Sequence, residues 1–256
     1  MVYDPMIQLS GLFWFILMLV PLILLQRLLH REIQAVFLIL SHDSRITMGI
    51  FAMLFLPGVF LHELSHFVMA KILRVRTGKF SLFPQSLPDG RLQLGYVETA
   101  KSDVIRDSLI GAAPLIVGTL FVAYVAGYHL QMRILWETFR NGQFDLFWLG
   151  IRALPRAPDF YLWSYLAFAV SSTMMPSESD RHAWLELLIS IVVLFAIALL
   201  FGAGPWMLSN VAPRLSSFLS SVAVIFGLSA FVHLLLILPT ALIHKFVARA
   251  TGVDVA

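Results

Sequence analysis

Six long apolar stretches, at approximately 9–28, 47–70, 105–130, 160–176, 183–207 and 216–244, constrain this chain more than any other feature. A helix that spans a bilayer needs about 20 consecutive, mostly apolar residues. Charged residues are only 13% of the 256 and hydrophobic ones are 59%, too little charge for a water-facing surface, so the bilayer is the expected solvent. The fourth stretch is short and polar at its end, which predicts a broken or unwound helix rather than a plain span. The first has no basic region ahead of it and no small-residue cleavage site before Gln26-Arg27, which predicts a retained helix rather than a signal peptide.

The polar connections add detail to this all-α membrane fold of about six transmembrane helices. Between the second and third stretches, alternating apolar and polar residues flank a Pro88-Asp89-Gly90 turn. This pattern predicts a small membrane-associated β-hairpin over about 77–97, dipping inward only where protein shields its edges. Residues 131–159 interleave Trp136, Phe139, Phe144, Phe147 and Trp148 with arginines and prolines, as an interfacial amphipathic segment does. No repeat or linker divides the chain, so residues 1–256 read as one integral membrane domain. Six alternating spans put ten Lys and Arg on the side of the hairpin and both termini and eight on the other, which favours a cytosolic hairpin.

The chain contains no cysteine, which excludes disulfides and thiolate metal sites and leaves His and carboxylates as the available zinc ligands. A net charge of +3, carried by Lys and Arg in the loops, suits anionic lipid headgroups and does not argue for nucleic acid.

Within the second stretch the chain reads His62-Glu63-Leu64-Ser65-His66. On a helix, residues four apart share a face, so both imidazoles can reach one ion, and Glu63 lies one step round, placed to act on a metal-activated water. Zinc brings the pKa of such a water towards neutrality, and a glutamate can take its proton and pass it to a leaving nitrogen. Three polar residues in a span are expensive and therefore functional by default. The blander reading is that they bond to one another or to neighbouring helices, with Ser65 as interhelical glue.

A catalytic zinc takes three protein ligands and keeps a fourth place open. Asp180 and Glu178 are the candidates for the third ligand, in a serine-rich run after the fourth stretch where Pro176 can break the helix; His182 is a weaker one. Asp180 could instead cap the helix that begins near His182. The isolated histidines at 30, 42, 129, 233 and 244 read as interfacial or packing residues, with His30 and His42 in the first connection and His233 alone in the last span.

Through His62-Glu63-Leu64-Ser65-His66 and the distant Asp180 after a proline-containing break, residues 47–185 resemble the site-2 protease family of intramembrane zinc metalloproteases. The resemblance implies a three-helix metalloprotease core flanked by spans at about 9–28 and 183–244. It implies a Zn2+ cofactor held by His62, His66 and Asp180, with Glu63 as the catalytic base. The implied substrate is a transmembrane protein helix that must unwind to expose a peptide bond. The family's central glycine motif corresponds to Gly111-Ala112-Ala113-Pro114-Leu115, with leucine where asparagine is usual. Before Asp180, Ser172 takes an asparagine position, Pro176 is offset by one, and Arg181 follows where glycine is usual. The developing oxyanion would then need another donor. The hairpin edge could bind an extended substrate by strand addition or simply cover the site. The rival readings are a membrane zinc protease with a glutamate as third ligand, an inactive scaffold, and a transporter using the polar cluster as an ion site.

Overall fold

A computed structural model describes residues 5–86 and 92–253; the Pro88-Asp89-Gly90 turn lies outside them. Its helices are α1 (Pro5–Ser41), α2 (Ser44–Ile72), α3 (Val104–Tyr124), α4 (Met132–Arg140), α5 (Phe144–Ala153), α6 (Phe160–Thr173), α7 (Trp184–Leu200), α8 (Gly204–Asn210) and α9 (Ala212–Thr251). Among the described residues four helices, α1, α2, α3 with its π-helical extension to His129, and α9, are long and apolar enough to cross a membrane; the count is five if the bent pair α7–α8 is one span. The expected six do not all appear as straight spans. Helix α6 has 14 residues, about 21 Å at 1.5 Å per residue, short of a hydrocarbon core of about 30 Å. The stretch at 183–207 is bent by 117° between α7 and α8, at Gly202, whose φ of +79° only glycine adopts freely.

The flanking helices form the largest interface, α1 against α9. Gly11 has no β-carbon to collide with the Ser216 backbone, and its N–H lies 3.0 Å from the Ser216 hydroxyl. Further along, Phe15 packs on Phe226, Leu22 joins Phe226 and Ala230 in a buried cluster, and Glu32 meets His244 at 2.7 Å. Residue numbers rise together on both helices, so α1 and α9 run parallel. Six alternating spans would have made them antiparallel.

Helices α2, α3 and α6 form the centre. Asp43 caps α2, its carboxylate accepting from the N–H of Arg45 at 2.7 Å. Gly58 lets α6 press directly on α2, because a β-carbon there would meet the Ala169 carbonyl and the Thr173 hydroxyl. The Tyr165 hydroxyl donates to the Leu54 carbonyl at 2.8 Å, so α6 runs parallel to α2. Gly118 on α3 faces Met174, just past the end of α6, while Tyr124 near the end of α3 meets Trp163 near the start of α6, making this pair antiparallel.

The hairpin is present, in two antiparallel segments. Strand β1 (Thr77–Ser81) pairs with β4 (Tyr96–Thr99) across a bulge, and β2 (Gln85–Ser86) pairs with β3 (Leu92–Gln93). It dips into the bundle, since Leu82 and Leu94 pack on the cluster of Phe51, Phe55 and Val59 from α2. That apolar contact brings a strand edge next to the motif helix.

Candidate metal centre

His62 and His66 project from one face of α2, and Asp180 reaches them from the segment between α6 and α7. Their ligand atoms converge: His62 Nε2 lies 3.1 Å from His66 Nε2 and 3.7 Å from Asp180 Oδ2, and His66 Nε2 lies 3.3 Å from Asp180 Oδ1. Ligands about 2.0–2.1 Å from a tetrahedral zinc stand about 3.3 Å from one another.

The chemistry of these atoms points to a cation as well as their spacing. His62 Nδ1 donates to the Thr173 carbonyl at 2.6 Å, and His66 Nδ1 donates to the Ile110 carbonyl at 2.8 Å. With both protons committed to backbone oxygens, each neutral ring turns the lone pair of Nε2 inward, towards the other ring and a carboxylate. Three acceptors with no donor between them fit a metal ion. Such backbone contacts to the far ring nitrogen are how metal-binding histidines are fixed in orientation. The sequence supplies both carbonyls by breaking helices: Thr173 is the last residue of α6, and Ile110 stands four residues before Pro114.

Asp180 is held from both sides. Its Oδ2 accepts from the Ser177 N–H at 2.7 Å and the Ser177 hydroxyl at 2.6 Å. Its backbone rests on Gly111, where any β-carbon would collide with the Asp180 carbonyl oxygen. The close-packing reading of Gly111 is thus met, and the backbone it admits is that of Asp180 in the converging cluster. Gly111→Ala is expected to cost about 1–3 kcal/mol through overpacking, which thermal unfolding of the whole chain in detergent would read.

The other candidates resolve differently. Asp180 does not cap α7, which begins at Trp184 with no side-chain cap. Glu178 lines the cavity but is exposed and lies outside the converging cluster. His182 donates from Nδ1 to the Ser179 carbonyl at 2.7 Å and turns Nε2 towards Asp107 at 3.5 Å, pinning the loop to α3 rather than joining the ligands. Ser65 bonds within its own helix, to the His62 carbonyl, and so does not tie helices together.

A cavity of about 460 Å³ opens on this cluster. Glu63, 6% exposed, sits in its wall beside the ligands. The hairpin closes over it at Gly95, where a β-carbon would stand 2.9 Å from Glu63 Cγ. The inner wall includes Gln26, His30 and Ser172. His30 is not in a connection, because α1 continues to Ser41; its ring packs against Phe51 and Phe55 and lines the cavity. Gln26 donates to the Ser172 carbonyl. His233 is bonded through Nε2 to the Ser172 hydroxyl at 2.9 Å and through Nδ1 to the Ser229 carbonyl at 2.7 Å. Ser172, at the asparagine position of the resemblance, is thereby engaged by both flanking helices. Of the remaining isolated histidines, His129 stacks on Trp163 with centroids 3.6 Å apart and His244 pairs with Glu32, while His42 is exposed just past the end of α1.

Among the described residues His62, His66 and Asp180 are the group that could hold a metal ion. Comparison with protein-family profiles, with curated proteins and with solved structures finds no match to this chain.

Proposed function

We propose that this chain is an intramembrane zinc metalloprotease that hydrolyses peptide bonds in membrane-embedded or membrane-proximal protein segments. The observation that carries the reading is the convergence of three ligand atoms, with every histidine Nδ1–H spent on a backbone carbonyl, beside a carboxylate that takes no part in the cluster. Helices α2, α3 and α6 form the metalloprotease core, and Asp180 is the third ligand.

A zinc ion held by His62, His66 and Asp180 would supply a Lewis acid for the scissile carbonyl and a water acidic enough to ionise near neutral pH. Glu63, in the cavity wall next to both imidazoles, takes the proton of the attacking water and delivers it to the leaving nitrogen. Gly95 and the strand that follows exclude bulk water above the carboxylate. Strand β4 lines the cavity and, among the described residues, pairs on one edge only, with β1. Its other edge offers backbone donors and acceptors to an unwound substrate.

The parallel packing of α1 and α9 supports an odd number of crossings, namely α1, α2, α3, the short α6 continued by the chain at its ends, and α9, with α7–α8 leaving and returning at the hairpin end. Lys245 and Arg249 then move away from the hairpin's side and Arg214 joins it, which erases the charge margin that favoured a cytosolic hairpin. The site lies towards the hairpin end of the bundle.

The test is to purify the whole chain in detergent, measure bound metal, and follow cleavage of a labelled single-span peptide. One zinc per chain, with cleavage abolished by a chelator and restored by added zinc, is the expected result. Wild-type protein that takes up no zinc and cleaves nothing would leave a polar membrane scaffold instead.

A further inference from the structure

We infer that Pro114 is a positioning residue for the metal centre, acting by withholding a backbone N–H from the carbonyl that orients His66. The inference rests on the metal reading above. Pro114 lies inside α3 and is fully buried. In an uninterrupted helix the N–H of residue 114 would bond to the carbonyl of residue 110. Proline has no N–H, and its ring crowds that carbonyl and tilts it off the helix axis. The freed oxygen, of Ile110, is the one that accepts the His66 Nδ1 proton at 2.8 Å.

The consequence is chemical. A buried carbonyl without a partner is costly, so the freed oxygen demands a donor, and the His66 ring supplies one only from Nδ1. That fixes the tautomer and leaves the Nε2 lone pair facing His62 Nε2 and Asp180 Oδ1. One turn earlier on the same helix, Gly111 admits the Asp180 backbone. Residues 111–114 therefore place two of the three ligands from one turn of α3, the ring by a missing proton and the carboxylate by a missing β-carbon.

Pro114→Ala tests this because a merely structural proline predicts a different result. Restoring the N–H draws the Ile110 carbonyl back to the helix axis, so zinc affinity measured by chelator competition on the whole chain in detergent should fall roughly 10- to 100-fold. The melting temperature of the zinc-free protein should hold or rise, since alanine suits a helix interior better than proline. Nitrogen-15 shifts of the His66 ring in zinc-free protein should move from the Nδ1–H tautomer towards a mixture. Pro239→Ala, the same exchange inside α9, should leave zinc affinity unchanged. Affinity of Pro114→Ala within about twofold of wild type, or an equal loss in Pro239→Ala, would overturn the inference. Failure of wild type itself to bind zinc would instead overturn the metal reading beneath it.

Discussion

Glu63→Gln is expected to leave one zinc bound per chain and to reduce cleavage of a transmembrane peptide by about 10²- to 10⁴-fold, the range in which a positioned general base contributes. The two properties separate because Glu63 lies outside the ligand cluster while sharing its cavity. Glutamine keeps the size of the side chain, so Gly95 still closes over it and the histidines keep their carbonyl partners. What is lost is the capacity to accept a proton. Metal content and turnover should therefore be measured on one preparation. If zinc left with the glutamate, Glu63 would be a ligand and the base would have to be sought elsewhere. If cleavage survived, the assignment of the base would fall even with the metal site intact.

The parts of this arrangement that were legible in the sequence are those encoded by local spacing. His62 and His66 share a helical face because 3.6 residues make a turn, and Asp180 stands out as a carboxylate beyond a helix break. The hairpin followed from alternation around a turn. Direction was not legible. Hydropathy marks residues 184–210 as apolar but does not say whether they cross the membrane or return, and the parallel packing of α1 and α9 that bears on this is a tertiary fact. A signal was present in Gly202-Ala203-Gly204-Pro205, a run that breaks any span. Helix length was hidden for a related reason: α1 extends past its most apolar window, carrying His30 out of the expected connection and into the cavity wall. Pro114 and Gly95 could have been flagged from general rules, a helix proline freeing the carbonyl four residues back and a strand glycine marking a close approach. Which side chain would use each opening depends on how helices distant in sequence pack together.

Asp180→Ala, compared with Glu178→Ala, is the other substitution with a large expected effect. Removing Asp180 leaves two imidazoles for the ion, so zinc affinity should fall by more than about 100-fold, beyond what loss of an outer partner costs, and cleavage should fall with it. Glu178→Ala should change affinity little, because Glu178 faces the cavity as an exposed residue outside the cluster. The contrast is sharp because the two carboxylates lie two residues apart in one loop, so general damage to that loop would affect both variants. Asp180→Asn refines the comparison. It keeps the shape and one oxygen that can accept from the Ser177 N–H, so the loop should stay folded, while the negative charge that balances a dication is gone. Affinity for zinc should then lie between wild type and Asp180→Ala. Wild-type affinity in both Asp180 variants with a loss in Glu178→Ala would transfer the third ligand to Glu178 and require the loop to rearrange when the metal binds.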